Sequence, residues 1–384
     1  MPPQNPDTED FGPNFGLLPR QKIETMIRRG MILAQAPLDD RQLQPASLDL
    51  RLGPLAYRVR ASFLPGRDRP LMEQLAAFAR DEDAISLEHG AVLERGCVYV
   101  IPLLERLRLP DSILGVANPK SSTGRLDIFT RLITDRSETF DRVARGYEGA
   151  LYAEVSPRSF PARVRTGSKL NQIRFRRLNP RQLHLSDFAV EDRDLAQRHA
   201  LAPLAEGDLT LRQGLILRVA LRPGEAAPPG ATIGFRAQKH ADIVDVDRVG
   251  AYRLADYWDE IKPREDGRLI LDPGEFYILA SKERLHIPRD LAAEMVPIDP
   301  AMGEFRVHYA GFFDPGFGAA PDGRPGARAV LEVRSHEVPF VLEDGQIIGR
   351  LVYEKMAEAP ITLYGEGSNY QGQDLKLSKH FTMA

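Results

Sequence analysis

The stretch GCVYVIPLLERLRLP (96–110) has a counterpart in GEFYILASKERLHIP (274–288). Tyr99 matches Tyr277, the Glu-Arg-Leu triplets begin at Glu105 and Glu283, and Pro110 matches Pro288, at a separation of 178 residues (288 against 110). The same separation pairs Glu154 with Glu332, Pro161 with Pro339, Gly167 with Gly345 and Phe175 with Tyr353. One offset that holds without drift from residue 96 to residue 175 marks two copies of a domain. A solenoid repeats every 20–50 residues, far less than this. Within each copy the runs are short, β-rich and bounded by turns. VYVIP, ALYAEVSP and NQIRF belong to the first; EFYILA, AVLEVRS and IIGRLVYE belong to the second. The repeated unit is therefore read as mainly β.

Composition agrees. A chain of 384 residues exceeds what one core usually serves. Its 31 glycines and 30 prolines suit many strands joined by turns. PRQKIETMIRRGMI (19–32) is the exception: Ile23, Met26, Ile27 and Ile32 have helical spacing, with Gly30 near the end. The polar segment VEDRDLAQRHALAPLAEGD (190–208) is read as the connection between copies, and PQNPDTEDFGPNFG (3–16) as a loose arm. The polar stretch after Tyr364 is read as a mobile tail. The resulting boundaries are a first lobe at 1–185, a linker at 186–206, a second lobe at 207–363 and a tail at 364–384.

Charge and cysteine content exclude several classes. Lys plus Arg number 51 and Asp plus Glu 54, a net charge of −3, whereas polynucleotide binders carry a basic surplus. A single cysteine, Cys97, rules out an intrachain disulfide framework and suits a reducing cytoplasm. No apolar run approaches the ~20 residues of a membrane helix, and the N-terminus has no signal pattern. Cys97, within an apolar strand, reads as core. Trp258 reads as a packing anchor, His308 as a surface or core histidine, and RRLNPRQLH (176–184) as a solvated loop.

Three features carry chemistry. Asn118-Pro119-Lys120-Ser121-Ser122-Thr123-Gly124-Arg125 combines two cations, three hydroxyls and a glycine, which suits a phosphate. It lacks the P-loop order, and a solvated turn is the competing reading. Glu154 and Glu332 each sit inside an apolar strand. Burial there would raise the carboxyl pKa and fit it for acid/base work, unless the side chain faces outward. Asp314, in GFFDPGF (311–317), is either one corner of a tight turn or a sugar-recognising acid between residues that flank a base. The H-x-E and P-C-x-x-C signature of zinc nucleobase deaminases is missing: there is one cysteine, and none of eight histidines begins H-x-E.

In order along the chain, these residues resemble the dCTP deaminase family, relatives of the trimeric dUTPases. The resemblance rests on QPASLDLRLG (44–53), LRLPDSILGVANPKSSTGRL (107–126), AGFFDPGFG (310–318), VLEV (330–333), VLEDGQIIGRLVYE (341–354) and NYQGQDLKLSK (369–379). It implies two tandem dUTPase-like distorted β-barrel or jelly-roll lobes with a few short helices. It also implies deamination of dCTP to dUTP and ammonia without a protein zinc, supplying dUTP for dTMP synthesis. By that likeness Glu332 or Glu154 is the base, Ser121 holds the water and Arg125 stabilises charge. Lys120, Ser121, Ser122 and Arg125 contact the substrate from the loop, and Asp314 the sugar. Tyr364, Tyr370 and Gln373 belong to a tail that covers the nucleotide. Magnesium enters with the triphosphate.

Departures from the family pattern sharpen the reading. The second copy has VPIDPAMGEF (296–305) where the first has its hydroxyl- and cation-bearing loop. The first has TDRSETFDRVARGYEG (134–149) where the second has the short hairpin, with Asp141 the one candidate for a sugar acid. Each copy keeps the half the other lacks. That predicts one composite site, Lys120–Arg125 from lobe one with Asp314, Glu332 and the tail from lobe two, and a dead reciprocal site. Rings of lobe one alone would instead use Glu154. Lys120 replaces a fork-like Arg by a point charge. Asn369 stands where the family has a phosphate-binding Lys, for which Lys376 or Lys379 would compensate. The expected partners are dCTP and dUTP, with no polynucleotide or membrane. The expected assembly is a self-contained pair of lobes or a homo-oligomer, a trimer of two-lobed chains or a dimer. A dUTP pyrophosphatase, alone or coupled to deamination, and a non-catalytic nucleotide-binding regulator remain as alternatives.

Overall fold

The computed structural model describes residues 11, 14–79, 84–179, 188–206, 209–224, 228, 230–297, 311–319, 326–335, 337–365 and 370–382, and the backbone of 305–308. The N-terminal arm up to Asp10, most of the loop 296–305, the His308 side chain and Asn369 lie outside them.

The offset read from the sequence reappears strand by strand. In lobe one, Ile113–Pro119 pairs antiparallel with Lys169–Arg177. In lobe two, Leu291–Pro297 pairs with Ile347–Lys355 in the same way. Val98–Arg108 lies beside Glu148–Pro157, and Phe276–Leu285 beside Ala327–Ser335. Each lobe is thus two antiparallel sheets closed over a core, a mainly β fold. Residues on both faces of the long strands are buried, which is why these strands read as nearly continuous apolar runs. The helix forms over Arg20–Arg28, with Ile23 and Met26 turned inward and Gly30 at φ +68° just past its end; Ile32, beyond that glycine, lies in the strand Ile32–Ala34 instead.

Equivalent strands of the two lobes meet. Arg176 donates to Glu354, the residue 178 positions further on, at 2.9 and 2.5 Å, and to Glu294 at 3.4 Å. The run from Arg176 therefore begins in a strand and not in a solvated loop: Arg176 and Arg177 are buried, and residues 180–184 lie outside the described ones. The reason is strand pairing. Arg176 and Arg177 still belong to the central strand; Arg176 finds its partners in the other lobe, and Arg177 donates to the Asn14 carbonyl of its own lobe. We expect Glu354→Gln, which strips the buried Arg176 of its main partner, to cost about 3 kcal/mol in urea unfolding. Glu343→Gln, at an exposed pair, should cost less than about 1 kcal/mol.

The second lobe also reaches across the first. Val244–Asp245 runs parallel to Ala162–Val164, and Arg165 grips Asp245 at 2.9 and 2.6 Å. Trp258 is an anchor, edge-on to Phe160 (5.4 Å) and Phe381 (5.8 Å). Cys97 is half-buried against the same core.

Two organisational readings change. The connecting segment holds a helix, Asp192–Leu201, and Val190, Leu195, Leu204 and Ala205 enter the core of lobe two. Its polarity reflects a helix with one buried face. The tail is not loose over its described part. Tyr370, Gln373, Leu377, Ser378 and His380 are buried, and Phe381–Thr382 runs parallel to Tyr252–Arg253. Its polar side chains satisfy buried groups of both lobes rather than solvent, a function that composition does not distinguish from exposure. Among the described residues no helix is long and apolar enough to cross a membrane.

Candidate active site

The phosphate-type loop follows directly from a strand end. Pro119 closes the strand Ile113–Pro119, and Lys120 stays extended at φ −68°, ψ 148°. One helical turn over Ser121–Gly124 then brings Arg125 back over the cavity. Asp127, in the left-handed region at φ 55°, ends the turn by donating its N–H to the Gly124 carbonyl at 2.8 Å. An Asp tolerates that conformation better than a β-branched residue.

Lobe two supplies the opposite wall. Asp314 and Gly316 form a turn closed by the Phe317 N–H on the Asp314 carbonyl (3.0 Å). Gly316 sits at φ +89°, with Leu363 and Tyr364 packed where a Cβ would go. Phe313, Phe317 and Tyr364 pack in sequence, the first pair edge-on and the second tilted, with centroids 5.0 and 5.4 Å apart. Glu332 lies mid-strand, opposite Ile278 on one side and His308 on the other.

These pieces face one cavity of about 1000 Å³. Lys120 to Arg125, Asp314, Glu332, Tyr364, Tyr370 and Gln373 all line it, and so does Lys379, whereas Lys376 does not. The loop of lobe one and the hairpin, strand and tail of lobe two thus meet at one cavity. Glu332 is 5% exposed, and burial pushes its carboxyl up to about 8; Arg125 pulls it down and Asp127 adds to the rise. A carboxyl near 8 exchanges its proton close to neutrality, which suits acid/base work.

Arg125 is the most constrained group. Its guanidinium donates to the Lys376 carbonyl (2.9 Å) and to Gln373 Oε1 (3.0 Å), and lies 4.0 Å over the Tyr370 ring. The tail is fixed beside it: Ser378 Oγ donates to the Ser122 carbonyl, and the His380 ring donates from Nε2 to the Val246 carbonyl at 2.9 Å. Burial pushes that ring down to about 4, so it is neutral at pH 7. At the wider end, Lys120 is ion-paired with the buried Asp49, and Lys379 stands nearby with its amine lowered by burial and by Lys120.

Glu154 has a different fate. It is 1% exposed, does not line the cavity, and accepts from Arg131 Nε and Nη2 at 3.1 and 2.6 Å. The Arg131 guanidinium is itself stacked 3.4 Å over Phe140. Asp141 accepts the Leu132 N–H at 2.7 Å, and burial pushes its carboxyl up to about 7. The reciprocal pair is occupied by structural bonds.

Sequence reading missed Arg174, Asp127 and Arg334. Arg334 is ion-paired with Asp127, whose Oδ2 also accepts from Ser159 Oγ at 2.6 Å, so the strand of Glu332 is tied to the loop of Arg125. A signal existed. Arg174 and Arg176 alternate within NQIRFRR, charged groups in an apolar strand, the pattern that singled out Glu154 and Glu332.

The chain matches two family models that divide it between them. One is the 2'-deoxycytidine 5'-triphosphate deaminase N-terminal domain, over residues 14–179; the other is the C-terminal domain of the same enzyme, over 191–381. A crystal structure of 2'-deoxycytidine 5'-triphosphate deaminase from Agrobacterium tumefaciens aligns at 48% identity and a TM-score of 0.83, covering 90% of this chain and all of that one. The chain belongs to the dCTP deaminase family. Members of this family are hydrolytic deaminases. A dCTP deaminase, dUMP-forming, of Halobacterium salinarum is 29% identical over 188 residues, 47% of this chain and 90% of that protein. Another of that name from Sulfurihydrogenibium sp. is 28% identical over 168 residues, 43% of this chain and 86% of that one. This dCTP deaminase family member is thus about twice the length of those relatives, as two fused lobes require.

Proposed function

We propose that the chain deaminates dCTP hydrolytically at the composite cavity. The observation that carries the reading is the meeting of Glu332, pushed up to about 8, with Arg125 and Ser121 from the other lobe in one cavity. The base lies with its C4 amino group toward Glu332, and the aromatic hairpin holds the sugar side. Glu332 accepts a proton as a water oxygen bonds to C4. It delivers that proton to N3, giving a tetrahedral C4 that carries a hydroxyl and the amino group, and then carries the hydroxyl proton to the amino nitrogen as the C4–N bond breaks. Ammonia leaves and a C4 carbonyl remains. Ser121 holds the water and Arg125 stabilises the charge that develops. Lys120 and Lys379 face the triphosphate, which brings its own magnesium. A zinc-free route is favoured by the donor set, since the single cysteine Cys97 lies away from this cavity.

Two products are compatible with this chemistry. Release of dUTP, feeding dTMP synthesis, is the simpler outcome. The names of the Halobacterium and Sulfurihydrogenibium relatives favour the second, in which pyrophosphate release follows and dUMP leaves. Both lobes of one chain line the cavity, which supports a site contained within a pair of lobes. Incubation with dCTP and magnesium, followed by anion-exchange separation and an ammonia assay, tests the proposal. One ammonia per uracil nucleotide is expected. dUTP or dUMP as the product decides between the two outcomes, and cleavage of dUTP without any ammonia from dCTP would overturn the deaminase reading.

A further inference from the structure

We propose that Arg174, lent by lobe one, is the positioning residue that holds Asp314 for recognition of the sugar hydroxyl. This rests on the assignment of the cavity to a deoxycytidine nucleotide.

Arg174 is fully buried in the strand Lys169–Arg177 and does not line the cavity. Its Nη2 donates to Asp314 Oδ1 at 2.7 Å, its Nη1 donates to the Ala293 carbonyl at 3.0 Å, and its plane lies 4.1 Å over the Phe312 ring. One guanidinium thus grips the carboxylate, the ring two residues before it and the strand that pairs with that ring. Burying a cation is costly unless several partners fix it, and here all are in or beside the hairpin. With Oδ1 engaged, Oδ2 is the oxygen left to the cavity that Asp314 lines. A 2'-deoxyribose esterified at its 5'-oxygen has a single free hydroxyl, at C3'. A carboxylate oxygen fixed in this way is an acceptor for that hydroxyl.

The repeat supports the assignment. The position equivalent to Arg174 in lobe two is Val352, so an arginine stands only in the copy whose strand abuts the cavity-lining hairpin. The candidate acid of the other copy, Asp141, bonds instead to a backbone N–H of its own lobe. Arg174 moves no proton and touches no substrate. Its effect is to fix one acceptor in place before the nucleotide arrives, which lowers the ordering cost of binding.

The test compares dCTP with 2',3'-dideoxycytidine triphosphate, which lacks the 3'-hydroxyl, in the intact chain and in Arg174→Met, Arg174→Lys and Asp314→Asn. The unaltered protein should favour dCTP by at least about tenfold in kcat/KM. Arg174→Met should bring that ratio close to one, chiefly by raising KM for dCTP about tenfold, with kcat changed less. Should Arg174→Met not fold, Arg174→Lys, which keeps the charge and loses the fork, should still lower the ratio at least threefold. A ratio unchanged in the arginine variants but lowered in Asp314→Asn overturns the role of Arg174 and leaves Asp314 as the sugar acceptor. A ratio unchanged in Asp314→Asn as well, or no preference in the unaltered protein, overturns both assignments. Ammonia release from dCTP, measured in the same assays, reports separately on the cavity as a deaminase site.

Discussion

Glu332→Gln should lower kcat for ammonia release from dCTP by about a thousandfold or more, while nucleotide binding stays within a few-fold. Proton transfer by a positioned carboxyl contributes about 10²–10⁴ in rate, and Gln keeps the size and polarity of Glu but cannot accept the proton. Glu154→Gln is the matched control, at the equivalent position of the same fold. Its carboxylate is closed off by Arg131 and lies outside the cavity, so kcat should stay within about threefold. Stability sorts the two the other way. The folded state binds a proton at Glu332 up to about pH 8, whereas the unfolded chain releases it near 4.5. This group therefore costs stability increasingly as pH rises between those values, and Glu332→Gln removes that cost. Denaturant unfolding at pH 5 and pH 8 should show the variant gaining on the unaltered protein at the higher pH. Glu154→Gln leaves Arg131 without its main partner and should lose stability. Equal loss of turnover in both variants would mean that chemistry is not confined to the composite cavity.

Arg125→Met should lower kcat by about 10²–10³, the usual loss when one preorganised donor to developing charge is removed. A second signature distinguishes this from general damage. Arg125 is the charge that pulls the Glu332 carboxyl down, so without it the carboxyl moves further above about 8. Where the ionised carboxylate is the reacting form, the rising limb of kcat/KM against pH should shift upward. Arg125→Lys should keep the limb nearer its original place, since the charge remains. It should still lose turnover, because a point charge cannot hold the Lys376 carbonyl and Gln373 together as the fork does. A fall in rate with an unmoved pH limb would separate Arg125 from Glu332 and place its role in substrate binding. Both predictions depend on Asp127 and Arg334, which hold the loop and the strand at a fixed separation.

Much of this was legible in the chain itself. The repeat gave two β lobes because a strand pair buried on both faces demands apolar runs at set positions, and copying the domain copied those positions. The half-site logic was legible too. The hydroxyls and cations of 118–125 survive in one copy and the DPG turn in the other, so a complete site had to be shared. What misled was polarity. The polar composition of the tail points to mobility, that of the segment after Val190 to a connection, and that of the run from Arg176 to a solvated loop, yet each buries side chains. A charged residue at a lobe interface and one in water have the same letter, and only the position of its partner separates them.

Glu154 and Glu332 make the division plain. The sequence by itself determined that each is a carboxylate inside an apolar strand, 178 residues apart in equivalent places. It also determined the domain duplication, the loop chemistry and the family pattern, because these depend on local spacing and on residues near one another in the chain. Only the tertiary structure decided which glutamate faces a cavity. Arg131, on the neighbouring strand of lobe one, neutralises Glu154, while Glu332 is left opposite a cation from the other lobe. The same holds for Arg174 and Asp314, 140 positions apart, and for Arg125 and Gln373, 248 apart. The physical reason is that a carboxyl's proton affinity and a guanidinium's partner are set by groups within a few ångströms in space, and chain folding chooses those groups from distant sequence.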